Sequence, residues 1–447
     1  MKLKVSNAIL IEDIDINERR QLTKHFSILN PVYAVMKRQG NTRALYAIKE
    51  YITYYKNYLN GLIVGRGSID YLLKNFSNSI NGDILTSFST KTVSTPIKKK
   101  VVLREYQEGI IEKILEHQQG IIKLSTGYGK SVISMKLIED TQLKTLIVVP
   151  RLNLLKQYQS DIKGLYGEKC GVINGKTFDI QDITVATIQT LKLRDLKEIK
   201  SEFGMIIYDE CHTFLSDNGI KVVQSFNPLR LYGMSATPDR SDGQGEALKF
   251  YFGDIIVEDS LPQAKPTVEI HKYAGKYFGE TYSAIIDIQS EDENRNKLIA
   301  DIINKEILNG RKIIVLTKRV EHYNKISELI NSDKKFTIRA TLPSKEAKEQ
   351  QALLEKLREG HSDFDVILGT FSLLSTGINI PALDTIVFAG DIKSTVLTTQ
   401  SVGRILRLFD NKKSPKIIDI DDCQSGILAN QARLRRKFYK DNNWEIL

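Results

Sequence analysis

The pattern of hydrophobic and polar residues changes character near position 100 of this 447-residue chain. Before that point, short alternating stretches predict strands, and one amphipathic stretch over 17–26 predicts a helix capped by Asn17. Two further stretches, 33–36 and 44–48, lie on either side of Gly40 and are predicted to pair as a hairpin.

A polar stretch closes this first region. Residues 77–100 are polar, with Ser, Thr and Gly, and end in three lysines, which is typical of a linker. Residues 1–98 are therefore interpreted as a small α+β accessory domain with a linker.

From Val101 onward, apolar runs of four to six residues alternate with stretches of helical spacing. This alternation is typical of an α/β fold with a parallel sheet. A stretch rich in Asp, Gly and Ser over 239–265 interrupts it, and a second α/β region follows. We therefore predict two parallel-sheet domains, over 99–264 and 265–447.

The stretch 124–131, Leu-Ser-Thr-Gly-Tyr-Gly-Lys-Ser, lies between a predicted buried strand and a predicted helix. Gly127 and Gly129 let backbone N–H groups turn toward an anion, and the helix N-terminus adds its positive dipole end. Lys130 can reach the β- and γ-phosphates of a nucleotide, and the Ser131 hydroxyl can ligate Mg²⁺. The alternative is a glycine-rich turn that contains Gly-Lys-Ser by chance, and Leu124 departs from the usual first glycine.

Asp209 and Glu210 directly follow another apolar run, 205–208. A carboxylate at the end of a strand can hold Mg²⁺, and its neighbour can orient and deprotonate an attacking water. An Asp-Glu pair is common on protein surfaces, but its place after a buried strand and downstream of a phosphate loop favours catalysis.

Arg404 and Arg407 lie three residues apart, so they share one face of a predicted helix. Such a face suits a nucleotide phosphate, whereas an isolated Arg-x-x-Arg is usually a solvated helix surface.

The composition of the chain gives expectations about its partner and its compartment. The net charge of +10 favours a polyanionic partner, although many basic proteins bind no nucleic acid. Three widely spaced cysteines form no metal pattern and suit a reducing cytosol. No apolar run reaches 18 residues and no signal peptide opens the chain, so we expect a cytoplasmic protein without a membrane partner.

Five tyrosines cluster in the first region, near Lys49 and Lys56: Tyr46, Tyr51, Tyr54, Tyr55 and Tyr58. Tyrosine and lysine together can stack on bases and meet phosphates. The alternative is a strand face that packs on the next domain.

Taken together, the motifs resemble the motor core of a superfamily 2 helicase over about residues 99–447. They occur in family order, and the segments that carry the resemblance are 104–107, 125–131, 149–151, 209–212, 235–238, 369–381 and 400–407. The resemblance implies two RecA-like domains that bind ATP and Mg²⁺ between them. The Leu-Arg-Glu-Tyr-Gln opening is similar to DNA translocases and repair helicases, and the compact size is similar to phage UvsW-type helicases, which remodel branched DNA.

The resemblance also implies a role for individual residues. It assigns nucleotide contacts to Gln107, Ser125, Thr126, Gly127, Gly129, Lys130, Ser131 and Asp209, with metal ligation by Ser131 and Asp209. It assigns catalysis to Glu210, Arg404 and Arg407, with Arg407 as the arginine finger, and coupling to His212, Ser235, Thr237 and Gln400. It assigns nucleic-acid backbone contacts to Arg151, Gly175, Thr187, Gln189, Lys318 and Thr370. Asn379 departs from the commoner Asp, which puts its ribose contact in doubt.

The implied function is an ATP-dependent DNA helicase that unwinds or branch-migrates forked and junction DNA in replication, recombination or repair. Single-stranded, forked or branched DNA is the implied partner, together with replication or recombination proteins, in the host cytoplasm if a phage encodes the chain. The rival interpretations are a duplex-translocating restriction subunit, an RNA helicase and a catalytically idle binding module. Because every nucleotide motif lies beyond Val101, deleting residues 1–98 is expected to leave an active ATPase that has lost its preference for junctions.

Overall fold

The computed structural model divides into two compact units, residues 1–260 and 261–447. It describes residues 1–40, 42–125, 127–167, 170–238, 245–260, 265–339, 342, 344–358, 361–371, 380–392, 402, 405 and 412–447. No helix in these ranges is both long and apolar enough to cross a membrane.

The first unit begins with a mostly antiparallel sheet and four helices. The strands are β1 (Lys2–Val5), β2 (Ala8–Glu12), β3 (Ser27–Leu29), β4 (Tyr51–Thr53), β5 (Tyr55–Tyr58), β6 (Gly61–Gly65) and β7 (Leu85–Thr86). The helices are α1 (Ile16–His25), α2 (Pro31–Arg38), α3 (Thr42–Leu45) and α4 (Ile69–Phe76). The sheet order is β5-β6-β2-β1-β7, and β3 pairs separately with β4.

Two local predictions for this region are wrong. The first helix is capped by Asp15 rather than Asn17, because Asp15 and Glu18 form a reciprocal capping box. The predicted hairpin is instead the helix pair α2 and α3. The Asn30 side chain caps α2 and Pro31 occupies its first position, and these two start signals outweigh the apolar alternation that suggested a strand.

The N-terminal elements share one hydrophobic core with the parallel sheet that follows them. Phe26 packs edge-on against Phe250 with ring centroids 5.1 Å apart, and Tyr54 lies 5.5 Å from the same ring. The buried guanidinium of Arg66 donates to the carbonyl oxygens of Pro228 and Leu229 and to Gln119 Oε1. A chain without residues 1–98 would expose this apolar surface, so we no longer expect that remainder to fold as an active ATPase.

The segment predicted as a linker is attached along its length. β7 pairs in parallel with β1, Ser89 bridges to Pro228, and Thr92 bridges to Leu143. Farther on, the buried carboxylate of Glu139 accepts hydrogen bonds from the N–H groups of Lys100 and Val101. The polar composition wrongly suggested a free linker, because these polar groups form hydrogen bonds with the surface of the first unit.

An eight-stranded sheet forms the rest of the first unit. Its strands are β8 (Gln119–Leu124), β9 (Thr145–Val149), β10 (Gly171–Ile173), β11 (Phe178–Asp179), β12 (Ile183–Thr187), β13 (Met205–Asp209), β14 (Arg230–Ser235) and β15 (Ile255–Asp259). The surrounding helices are α5 (Glu105–Leu115), α6 (Lys130–Thr141), α7 (Leu152–Tyr166), α8 (Ile188–Leu191), α9 (Asp217–Val223) and α10 (Glu246–Phe252). The strand order is β11-β10-β12-β9-β13-β14-β8-β15, and all pairs are parallel except β10 with β11.

The strand order determines which loops are neighbours. In β9, β12 and β13 every residue is buried, as expected for central parallel strands covered on both faces. Parallel strands end at the same edge of a sheet, so the segments that follow β10, β12 and β9 lie beside those that follow β13, β14 and β8.

The second unit is a seven-stranded parallel sheet covered by helices. Its strands are β16 (Thr267–Tyr273), β17 (Ile313–Thr317), β18 (Lys335–Ile338), β19 (Val366–Thr370), β20 (Thr385–Phe388), β21 (Lys416–Asp422) and β22 (Glu445–Ile446), in the order β18-β19-β17-β20-β21-β16-β22. Its helices are α11 (Tyr282–Glu291), α12 (Glu293–Leu308), α13 (Val320–Glu328), α14 (Ser344–Arg358) and α15 (Gly426–Asp441). The predicted α/β class with two parallel sheets is confirmed.

Candidate nucleotide and nucleic-acid site

The loop between β8 and α6 has the backbone shape of a phosphate cradle. Gly127 and Gly129 have φ values of 87° and 92°, a region that favours glycine, and Gly129 is the residue before the first turn of α6. The 12-residue helix begins at Lys130, so its unpaired N–H groups and its dipole face the loop. Ser131 lies in this first turn, and Thr126 lies outside the described residues.

Tyr128 fixes the loop from inside. Its side chain is buried, and its hydroxyl lies 2.9 Å from the carbonyl oxygen of Tyr106 and 2.8 Å from Asp259 Oδ2. The Ser125 N–H donates to the carbonyl oxygen of Asp259 over 3.2 Å. Burial and the nearby Asp259 carboxylate raise the pKa of Tyr128, so the phenol stays protonated and able to donate. Sequence reasoning missed this residue, whose only signal was an aromatic side chain between two glycines.

Gln107 joins helix α5 to the same loop. Its side-chain amide donates to the carbonyl oxygen of Tyr128 over 2.7 Å and accepts from the Arg104 N–H over 3.0 Å. A Cβ on Gly129 would lie 2.6 Å from Gln107 Nε2, which gives Gly129 a packing reason as well as a conformational one. One N–H and one lone pair of the amide remain for an adenine edge, so the role predicted for Gln107 stays a prediction.

Lys130 and the two acidic residues meet at the start of α6 and the end of β13. Lys130 Nζ lies 3.0 Å from Glu210 Oε1, and the Glu210 N–H donates to Asp209 Oδ1 over 3.0 Å. Burial lowers the pKa of Lys130, but the carboxylates of Glu210 and Asp209 raise it by more, so the ammonium stays charged. Burial, reinforced by Glu210 and opposed by Lys130, raises the pKa of Asp209 to about 6.

These residues fit a magnesium ion that arrives with a nucleotide. The carboxylate of Asp209 and the hydroxyl of Ser131 are oxygen ligands of the kind that Mg²⁺ prefers. Within the described ranges, no group of three or more His, Cys, Asp or Glu side chains forms a ready-made metal cage. That agrees with a site in which phosphate and water oxygens supply the other ligands.

A chain of contacts leads from Glu210 to the end of β14. Glu210 has a φ of 52°, which is unusual for a residue with a side chain, and its Oε2 lies 3.5 Å from His212 Nδ1. The same imidazole nitrogen lies 2.8 Å from Ser235 Oγ, which accepts a hydrogen bond from the Thr237 N–H over 3.0 Å. Three of the four predicted coupling residues are therefore in contact. Gln400, like Arg404, Arg407 and Asn379, lies outside the described residues.

The predicted nucleic-acid contacts in the first unit cluster at one part of the sheet edge. Thr187 ends β12, Arg151 follows β9, and Gly175 follows β10, which are three neighbouring strands. Gln189, in the first turn of α8, donates to the carbonyl oxygen of Pro150 over 2.5 Å and so joins two of these segments.

The two predicted contacts in the second unit also lie on neighbouring strands. Thr370 ends β19 and pairs in register with Thr317, the residue before Lys318. The Lys318 ammonium lies 4.4 Å from the centre of the Tyr282 ring and donates to its hydroxyl. Tyr282 was not predicted, and it positions this lysine at the carboxyl edge of the sheet.

Two known protein families match segments of the chain, one in each half. Residues 100–240 match the family described as "Type III restriction enzyme, res subunit", and residues 294–409 match the family described as "Helicase conserved C-terminal domain".

Curated relatives are similar over most of the chain. A putative ATP-dependent RNA helicase, L396, of Acanthamoeba polyphaga mimivirus is 27% identical over 77% of this chain and 69% of its own length. The DNA 3′-5′ translocase XPB2 of Sulfurisphaera tokodaii is 26% identical over 76% of this chain and 86% of its own. The ATP-dependent DNA helicase uvsW of Enterobacteria phage T4 is 25% identical over 76% of this chain and 72% of its own.

Proposed function

Because this chain is a superfamily 2 helicase with two RecA-like domains and ATP-dependent helicase activity, we propose that it acts on DNA and unwinds or branch-migrates forked and junction DNA. The main support is that residues assigned to the nucleotide and residues assigned to the nucleic acid lie on adjacent parts of one sheet edge. The strands β8 and β13 lead into residues assigned to the nucleotide, β14 leads into residues assigned to coupling, and β9, β12 and β10 on the other side of β13 lead into residues assigned to a nucleic-acid backbone. A change at the phosphate site is therefore one strand away from the surface assigned to nucleic acid.

In this proposal the first unit prepares water for attack on the γ-phosphate. The N–H groups of the loop and Lys130 bind the phosphates, and Glu210 takes a proton from the attacking water. Mg²⁺, held by Ser131 and Asp209, would neutralise charge on the phosphate oxygens. When phosphate binding draws Lys130 away from Glu210, the carboxylate is released for the water.

The contacts of Glu210 also suggest how the nucleotide site communicates with the end of β14. His212 touches both Glu210 and Ser235, so a shift of the Glu210 carboxylate changes the hydrogen bonds at the end of β14. Backbone contacts carry no sequence code, so we expect substrate choice by DNA structure rather than by base sequence.

Stimulation of ATP hydrolysis by different nucleic acids tests the proposal. We expect single-stranded and forked DNA to raise kcat more than RNA of the same length and sequence. With ATP, forked and four-way substrates should be separated, and blunt duplexes should stay intact. Equal or greater stimulation by RNA would contradict the DNA assignment.

A second candidate is a motor that moves on duplex DNA without unwinding it. The match of residues 100–240 to a restriction-enzyme subunit favours this alternative. Displacement of the third strand of a triplex, together with failure to separate a fork, would identify such a motor.

The N-terminal region carries most of the excess positive charge. Residues 1–98 hold fourteen Lys and Arg against seven Asp and Glu, a net charge of +7 out of +10 for the whole chain. Of the five clustered tyrosines, Tyr54 packs in the shared core, whereas Tyr46, Tyr51 and Tyr58 are 95%, 49% and 42% exposed. We propose that these three exposed tyrosines stack on bases where a duplex opens.

Replacing Tyr46, Tyr51 and Tyr58 together with Ala is expected to weaken binding to a four-way junction by tenfold or more. Each base–aromatic stack is worth about 1–3 kcal/mol, and about 1.4 kcal/mol corresponds to a factor of ten. Affinity for a plain single strand should change little. Fluorescence anisotropy on both substrates makes the comparison.

The matched control is Phe278→Ala, which removes an aromatic ring that is 79% exposed in the second unit. If the triple variant keeps the junction preference of the wild type, the exposed tyrosines do not select the substrate.

An archaeal relative is named as a DNA translocase and a phage relative as a DNA helicase, and we propose that this chain acts on DNA inside cells. The expected compartment is the cytoplasm, that of the host if a phage encodes the chain, with replication or recombination proteins as partners.

A further inference from the structure

A basic cavity of about 390 Å³ lies outside the sites described so far. It opens between the segment that follows α8, helix α9 and the turn between β1 and β2. Five cationic side chains line it, together with the single carboxylate of Asp195. We name it the basic cavity and define it by Lys192, Arg194, Lys197, Lys200 and Lys221.

Three of the five cations are held in place by neighbouring groups. Lys192 donates to Ser216 Oγ over 3.0 Å, the Arg194 guanidinium lies 4.8 Å from the centre of the Phe178 ring, and Lys197 lies 3.6 Å from Asp195. Only the last of these contacts neutralises a charge.

The other two cations have no such contact. Within the described part of the chain, the ammonium groups of Lys200 and Lys221 have no hydrogen bond or ion pair. Four positive charges therefore remain in excess around the cavity. Like charges held close together without partners repel, so an anion that binds among them would relieve this repulsion.

The basic cavity adjoins the surface assigned to the nucleic-acid strand. Helix α8 begins directly after Thr187 and contains Gln189, and Lys192 follows its last residue. Three residues of helix advance about 4.5 Å, so Gln189 and the first cation of the cavity are neighbours along one short helix. A strand held at Gln189 can reach the cavity with its next phosphates.

We propose that the basic cavity binds backbone phosphates of the DNA strand that continues from Gln189 past Lys192 and along the segments that cover the first sheet. This inference rests on the proposed function, and it adds a second anchoring point at the junction with the N-terminal elements, since Asn7 also lines the cavity. Among the described residues, no aromatic side chain lines the cavity, so it offers charge without base stacking. Contacts of this kind position a strand without reading its sequence.

The test is the double variant Lys200→Gln/Lys221→Gln in the full-length protein. Each phosphate contact to a single strand contributes about 0.7 to the slope of log K against log salt, so two lost contacts lower the slope by roughly 1.4. Between 50 and 200 mM salt, the wild type should therefore lose roughly sevenfold more affinity for single-stranded DNA than the variant loses. ATP hydrolysis without DNA should stay at the wild-type rate.

The matched control is Lys113→Gln/Lys163→Gln, which removes the same charge from exposed positions on α5 and α7. This control should keep a slope much closer to that of the wild type. If the two double variants have equal slopes, the effect is one of net charge and the basic cavity makes no contact.

A second measurement uses the wild-type protein and needs no substitution. Lysine acetylation, followed by mass spectrometry, should show Lys200 and Lys221 protected by single-stranded DNA while Lys113 and Lys163 react as before. If DNA stimulates ATP hydrolysis but leaves Lys200 and Lys221 fully reactive, the proposal that the basic cavity binds DNA is wrong and the proposed function stands. If the wild type neither binds DNA nor responds to it, both proposals fail.

Discussion

Glu210→Gln is expected to lower kcat for ATP hydrolysis by roughly 10²–10⁴, the usual contribution of a positioned general base. An amide of the same shape cannot take a proton from the attacking water. Lys130 keeps a carboxylate neighbour in Asp209, so the phosphate loop should stay intact and nucleotide affinity should change little. Turnover assays and titration with a fluorescent nucleotide measure the two quantities separately.

Lys130→Ala is expected to differ from Glu210→Gln in nucleotide affinity, and this difference separates the roles of the two residues. It removes the cation that compensates Asp209 and Glu210, and leaves the buried carboxylate of Asp209 beside the partly exposed carboxylate of Glu210. We expect this variant to lose nucleotide affinity as well as turnover, because these carboxylates would repel the phosphates. Glu112→Gln, at an exposed position on α5, is the control for an acidic-to-amide change. Wild-type turnover in Glu210→Gln would show that another group activates the water.

The catalytic centre was predictable because its signals are local. The phosphate loop is a strand, two glycines and a helix start within 124–131, and the acidic pair follows its own buried strand without a gap. Each motif is directly adjacent to the strand or helix that positions it, so the motif and the secondary structure can be predicted together. The neighbourhood of β8, β13 and β14 then follows from parallel strands that end at one edge.

The groups that support the centre were not predictable because their partners are distant in sequence. Tyr128 hydrogen-bonds Asp259, which is 131 residues away. The second unit has a contact of the same kind, since the buried guanidinium of Arg295 pairs with Asp422 at 2.9 Å, 127 residues away. No pattern within a short window identifies such a partner, and the composition of the chain does not either.

The predictions for the N-terminal region were wrong for a different reason. For residues 31–38 the apolar pattern fitted either a strand or a helix, and the helix start at Asn30 and Pro31 decided for the helix. The predicted domain boundary was also misleading. The sequence pattern changes at residue 100, but the elements before and after that point share one hydrophobic core. Gly65 and Gly67 approach the backbone around Phe250 so closely that an added Cβ would lie about 2 Å away, which requires glycine at both positions.

Arg407→Ala is expected to lower kcat strongly while nucleotide affinity stays close to that of the wild type. Arginine fingers are worth roughly 10³–10⁵ in turnover, and we expect the lower end because Arg404 remains on the same predicted helix face. The assignment rests on the sequence, since both arginines lie outside the described residues. A guanidinium that contacts charge developed only in the transition state changes kcat without changing the affinity for ATP.

The control for Arg407→Ala is Arg433→Ala, which removes an exposed guanidinium from α15 that hydrogen-bonds Asn430. Both variants should show the same circular dichroism and thermal transition, so that a loss of turnover is not a loss of fold. Steady-state ATPase assays with saturating single-stranded DNA give kcat, and nucleotide titration gives Kd. Because Lys130 and Glu210 would still be in place, a large drop in kcat at constant Kd would mean that the second unit supplies part of the hydrolytic site. Unchanged turnover would remove Arg407 from that site and leave hydrolysis to the first unit.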